Sequence, residues 1–136
     1  MAATALLAVV PVGAANAQTP TAPRNAGVTG MWMGTNSGFE NGVYKSSKVR
    51  YTITAVDGIA FTGSKSWQRT DGTWSDPESL QGVLYKSGDF HAADNDGYII
   101  GRLVSPNKIR ATYLEAGDDS SALITVLTKA SRQSGR

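Results

Sequence analysis

From residue 47 onward, apolar and polar positions alternate with a period of two. In "VRYTITAV", Val49, Tyr51, Ile53 and Ala55 share one face, and Arg50, Thr52 and Thr54 the other. In "IAFTGSKSW", Ile59, Phe61, Gly63 and Trp67 fall together, and in "KIRATYLE" Ile109, Ala111 and Tyr113 oppose Arg110 and Thr112. Successive side chains of a strand point to opposite faces, so this pattern predicts strands with one buried side. No stretch after residue 27 carries an apolar stripe at helical spacing. Turn-forming clusters separate the runs: "VDG" at 56–58, "TDG" at 70–72, "SGD" at 87–89, "NDG" at 95–97, "SPN" at 105–107 and "AGDD" at 116–119. Asn95-Asp96-Gly97 reads as a turn needing positive φ. Eight strands are predicted, near 30–36, 47–56, 59–68, 79–86, 89–94, 98–104, 108–115 and 121–129. "GVYKS" at 42–46 is left as a loop or part of a bent first hairpin. Eight antiparallel strands joined by short hairpins would expose two pairing edges if left open. Closure into an all-β, eight-stranded up-and-down barrel removes both.

Two hairpin registers follow from the pattern. With Pro106-Asn107 as a two-residue turn, Arg102 lies opposite Ala111, Ile100 opposite Tyr113 and Tyr98 opposite Glu115. Tyr98, Arg102, Tyr113 and Glu115 then share the face of Ile100, either as a polar handle in a cavity or at a wet rim. A three-residue loop at 56–58 pairs Ile53 with Phe61 and places Gly58 in the left-handed position of a bulged turn.

The ends of the chain have a different character. Residues 1–17 are an apolar run ending in Ala15-Asn16-Ala17, the small-x-small pattern of a cleaved signal peptide, and the run is too short for a bilayer span of ~20 residues. Residues 18–27, "QTPTAPRNAG", read as a flexible leader, residues 28–130 as the barrel and residues 131–136 as a disordered tail. The mature protein is thus expected to be exported, periplasmic or secreted. With no cysteine in the chain, disulfides, thiolate metal sites and cysteine nucleophiles are excluded. The 13 basic and 11 acidic residues are scattered, unlike the basic face that binds nucleic acid.

Gly30-Met31-Trp32 on the first strand resembles the Gly-x-Trp opening of the calycins, the lipocalins, fatty-acid-binding proteins and avidins. The Thr-Lys ending in "TVLTKAS" and the opening "GVTGMW" resemble those of avidins. The strand plan is also similar to that of a widespread group of functionally unassigned exported bacterial domains. The calycin resemblance implies that Gly30, Trp32 and Lys129, or Arg132 instead of Lys129, close the barrel floor, with Trp32 as a core plug rather than a ligand contact. Avidins hold biotin with several tryptophans on middle and late strands. This chain has none after Trp74, which argues against biotin.

Catalytic signals are weak. His91 is the lone histidine and no Gly-x-Ser-x-Gly presents a nucleophile. If Phe90 points inward, His91 points outward. "ADNDG" lacks the late glutamate of a calcium loop, so neither a metal nor another cofactor is expected. The first reading is an exported binding protein for a small apolar or amphipathic ligand. Tyr51, Phe61 and Trp67 would supply apolar walls, Tyr98, Tyr113 and Glu115 polar ones, and Arg102 would orient an anionic or carbonyl group. The alternative is an envelope inhibitor or other protein-binding module. It would act through the 68–79 connection, where Trp74 forms a lid or contact unless the loop folds back onto the barrel. A cofactor-free cyclase or isomerase ranks third.

Overall fold

The computed structural model describes residues 26–131. The signal-peptide reading of 1–17, most of the 18–27 leader, Arg132 and the rest of the tail lie outside the described residues. A short 3-10 turn, Ala26–Val28, leads into eight strands: β1 Gly30–Glu40, β2 Val43–Asp57, β3 Ala60–Trp67, β4 Glu78–Leu84, β5 Asp89–Ala93, β6 Gly97–Ser105, β7 Lys108–Glu115 and β8 Ser121–Lys129. Each strand pairs antiparallel with the next, and β1 also pairs with β8, so the sheet is a closed barrel. Glycine makes that closure possible. A Cβ on Gly34 would sit 1.7 Å from the Val126 carbonyl oxygen of β8, so only hydrogen lets the two backbones meet there.

β1 and β2 are longer than the alternation predicts. Glu40 pairs with Val43 across Asn41-Gly42. Both turn residues have positive φ, 49° and 75°, the type I′ geometry that Asn-Gly favours and whose twist matches the strands. "GVYKS" therefore belongs to this hairpin.

Two bulges change the phase of the pattern. In β2 the register slips between Ile53 and Ala55, so Ile53 faces Gly63 and Val56 faces Phe61. Ala55 is exposed rather than inward, and Gly58, at φ 59°, turns the chain between Asp57 and Ala60. In β6, Pro106-Asn107 is the turn, but a slip between Leu103 and Ser105 pairs Leu103 with Ile109, Gly101 with Ala111, Ile99 with Tyr113 and Gly97 with Glu115. The expected register is therefore off by one. Tyr98, Ile100 and Arg102 lie on the outer wall, while Tyr113 and Glu115 remain inside. The physical reason is packing. With Ile109, Ala111 and Tyr113 inward, the facing strand must supply Leu103 and Ile99 and leave space for rings. A Cβ on Gly97 would lie 2.7 Å from the Tyr113 ring, and one on Gly101 2.7 Å from Phe90 and 2.6 Å from the Ala111 Cβ. Outside, the Arg102 guanidinium bonds Asp89 at 2.7 Å in water; inside the apolar core its charge would need a buried partner. Gly101→Ala is accordingly expected to destabilise by ~1–3 kcal/mol through overpacking. Urea denaturation measures this, and a neutral result would mean that Phe90 does not fill the space above Gly101.

The lower barrel is filled. Phe61 and Phe90 meet edge to face at 6.3 Å, and the space among Tyr51, Ile53, Leu80, Leu84 and Ile109 shrinks to about 20 Å³. Trp32 closes the floor. It is wholly buried, its indole N–H donates to the Val28 carbonyl at 2.8 Å, and the Lys129 ammonium lies 5.6 Å from its ring. That ammonium also donates to the Gly27 carbonyl, which ties the 3-10 turn under the barrel. Among the described residues no helix is long and apolar enough to cross a membrane.

Candidate functional site

The inner face changes character toward the other end. On β3 the inward positions run Phe61, Gly63, Lys65, Trp67, so alternation carries one lysine into the barrel. Lys65 pairs across strands with Tyr51 on β2 and Glu78 on β4. The same alternation brings Asn36 above Trp32, Glu78 above Leu80, Glu115 above Tyr113, and Thr125 and Ser121 to either side of Leu123. Together they form a polar storey above the filled core. Within it is a cavity of about 290 Å³ whose walls include Lys65, Trp67, Glu78, Tyr113, Glu115 and Leu123, with Glu40, Asp96 and Asp119 at the mouth.

Lys65 is the centre of this storey. Its side chain is only 5% exposed. The ammonium donates to the buried Asp94 carboxylate, forms an ion pair with Glu78 at 3.5 Å, and sits 3.9 Å from the centre of the Tyr113 ring and 5.6 Å from that of Trp67. Buried charges persist only when paired in this way. Asp94 is fixed in turn by its backbone, since its other oxygen accepts the N–H groups of Asp96 at 3.1 Å and Gly97 at 2.7 Å. The 94–97 turn thus runs on a side-chain cap, with no positive φ among its residues.

The carboxylates are crowded. Desolvation pushes the Glu78 carboxyl up; Lys65 opposes this, while Asp94 and Asp96 reinforce it. Glu115 is also raised by desolvation, against the hydroxyl of Tyr113 donating to it at 3.1 Å. Tyr113 is pushed above the ordinary phenol range by desolvation and by the Asp94 and Glu115 charges. The Tyr51 hydroxyl is buried beneath this storey beside Thr125, whose own hydroxyl donates to Asn36 at 2.7 Å. Burial raises the Tyr51 phenol as well. The cavity wall itself is rich in acidic side chains. Outside, the mouth opens onto a groove edged by Lys45, Lys48 and Arg69, with Lys45 bonded to Glu40 and Arg69 to the Trp74 carbonyl at 2.6 Å.

Of the residues expected to contact a ligand, the structure brings Trp67, Tyr113 and Glu115 to one cavity. Tyr51 and Phe61 belong to the core below it. Tyr98 and Arg102 are corrected to the outer wall. Lys65, Glu78 and Asp94 are the additions: Lys65 and Glu78 sit an even number of places from the inward Phe61 and Leu80 on their own strands, whereas Asp94 lies in the turn that follows β5. His91 points outward, edge-on to Tyr85 at 5.6 Å. The 68–77 connection is not a free arm. Trp74 bridges back to Gln68, the Arg50 guanidinium lies 4.7 Å over its ring, and Ser75 hydrogen bonds Trp67 through both its N–H and its hydroxyl. Among the described residues no group of three or more histidine, cysteine or acidic side chains is placed to hold a metal ion.

No protein-family model matches the chain, and no curated protein is similar to it at a significant level. The fold is nevertheless matched. A redesigned β-barrel of solved structure is 13% identical, with a TM-score of 0.56 over 80% of this chain and 96% of that one. At that identity the likeness extends to the barrel alone.

Proposed function

We propose that this chain is an exported, calycin-like binding barrel whose ligand is a small amphipathic cation, seated in the mouth with its amino group inward. The observation that carries this reading is the composition of the cavity wall: Glu40, Glu78, Asp96, Glu115 and Asp119 face a space to which Lys65 alone contributes a cation. Low-dielectric walls strengthen the field of such a set, so a positive ligand is drawn in and an anion repelled. Lys65 itself illustrates the chemistry, an ammonium held between carboxylates and the face of Tyr113, where ring and charge attract each other. Trp67 and Leu123 offer the apolar part of a ligand a surface. At about 290 Å³ the cavity lies near the lower bound of ~300 Å³ for small-molecule sites. An anionic ligand held by Arg102 is no longer part of the reading, because that side chain is on the outside. The leader-like residues 1–17 support export.

The test is a thermal-shift comparison of tyramine with its carboxylic acid counterpart, 4-hydroxyphenylacetate, at neutral pH. A ligand at a hundred times its Kd stabilises by about 2.7 kcal/mol. The amine is expected to raise Tm and the acid to leave it unchanged, and Glu78→Gln with Glu115→Gln should remove the response. A response to the acid alone, or to neither compound, would sink the proposal.

A further inference from the structure

We propose that the outer wall of β6, β7, β8 and β1 is the interface of a two-fold homodimer. The off-by-one register that sends Tyr98 and Ile100 outward also aligns them with apolar residues on the next strands. Tyr98 lies beside Leu114, Leu114 beside Ala122 and Ala122 beside Phe39; one row below, Ile100 is followed across Thr112 by Ile124. Tyr98 is 69% exposed, Phe39 59%, Ile100 50%, and Leu114 and Ile124 41% each. The opposite wall differs: the outward positions of β3 and β4 include Thr62, Ser64, Ser79 and Gln81. The apolar rows form a contiguous exposed strip across four strands, the kind of patch that marks a protein contact. A stable complex buries ~800 Å² per partner, which draws on the charged borders as well.

The borders identify the occupant. Toward the floor the wall ends in Lys108 and Arg110; toward the mouth it ends in the β7–β8 loop with the exposed Asp118. A two-fold axis through the middle of the patch, perpendicular to the wall, sets the basic border of one copy against the acidic border of the other. It also lays apolar rows on apolar rows. A surface that complements itself under a two-fold rotation is what an isologous dimer requires.

Sedimentation equilibrium of the full chain at micromolar concentration is the test. A dimer is expected. Ile124→Glu, which places a charge at the centre of the patch, should raise its dissociation constant by more than ~tenfold. Gln81→Glu on the opposite wall should leave it unchanged. Arg110→Glu should weaken the dimer and Arg110→Glu with Asp118→Lys should restore it, with circular dichroism checking that each variant is folded; this pair decides the matter if Ile124→Glu does not fold. A single-chain mass for the wild type, a dimer indifferent to both single changes in the patch, or a double variant as weak as Arg110→Glu would overturn the proposal.

Discussion

Trp32→Ala is expected to lower the free energy of unfolding by ~3–5 kcal/mol, the usual cost of emptying a large aromatic site in a core. The indole is fully buried and its N–H bond to Val28 holds the 3-10 turn across the floor, so the loss combines a cavity with a loosened lid. Lys129→Ala should cost much less. Its contribution is a cation beside the ring, about 0.5–2 kcal/mol, and one hydrogen bond to Gly27. Urea denaturation of the two variants gives the comparison. Two equal and small effects would mean that the floor does not depend on the plug.

How far this barrel could be read from its residues depends on what makes local structure visible. β7 and β8 could be read to the residue, because "KIRATYLE" and "SALITVLTK" alternate without interruption between turn-forming clusters. The extended first hairpin was harder. Beyond Asn36 the apolar residues Phe39, Val43 and Tyr44 are exposed whichever face they lie on, so the inside–outside contrast fades and only Asn41-Gly42 marks the turn. The bulges near Thr54 and Val104 left no mark at all. Each inserts one residue and flips the parity of everything beyond it, and the choice of phase depends on rings from other strands needing Gly97 and Gly101 beneath them. That is tertiary information. The slip moved Arg102 from the cavity to the wall, and with it changed the expected sign of the ligand. Lys65 is a different case. It has the same parity as Phe61, Gly63 and Trp67, yet a lysine among apolar neighbours reads as an exception until Asp94 and Glu78, supplied by distant turns and strands, are known to meet it.

Lys65→Ala is the second large effect, expected to cost ~3–5 kcal/mol at neutral pH, the usual result of removing one member of a buried ion pair. Asp94, with a side chain that has no exposed surface, and Glu78 would be left with charge and no counter-ion. The loss should have a characteristic pH dependence. In the wild type, Glu78 and Glu115 are held above their ordinary value of 4.5 by desolvation. The folded state therefore binds more protons than the unfolded one between that value and the raised one. The stability these two groups contribute is fully present below 4.5 and is lost as pH rises through the raised values. Removing the ammonium removes what opposes the rise at Glu78, so the same trend should be steeper and extend to higher pH in Lys65→Ala. The gap between variant and wild type should narrow in mild acid, as a proton neutralises the stranded Glu78. A double variant separates charge from shape. Asp94→Asn keeps an oxygen for the Asp96 and Gly97 amides while discarding the charge, and Lys65→Met keeps the volume of the lysine stem. Lys65→Met with Asp94→Asn should therefore recover most of what Lys65→Met alone loses, in urea melts run across the acid to neutral range. If the single variants cost little and their effects simply add, Lys65 and Asp94 do not act as a buried pair, and the polar storey of the barrel is open to water.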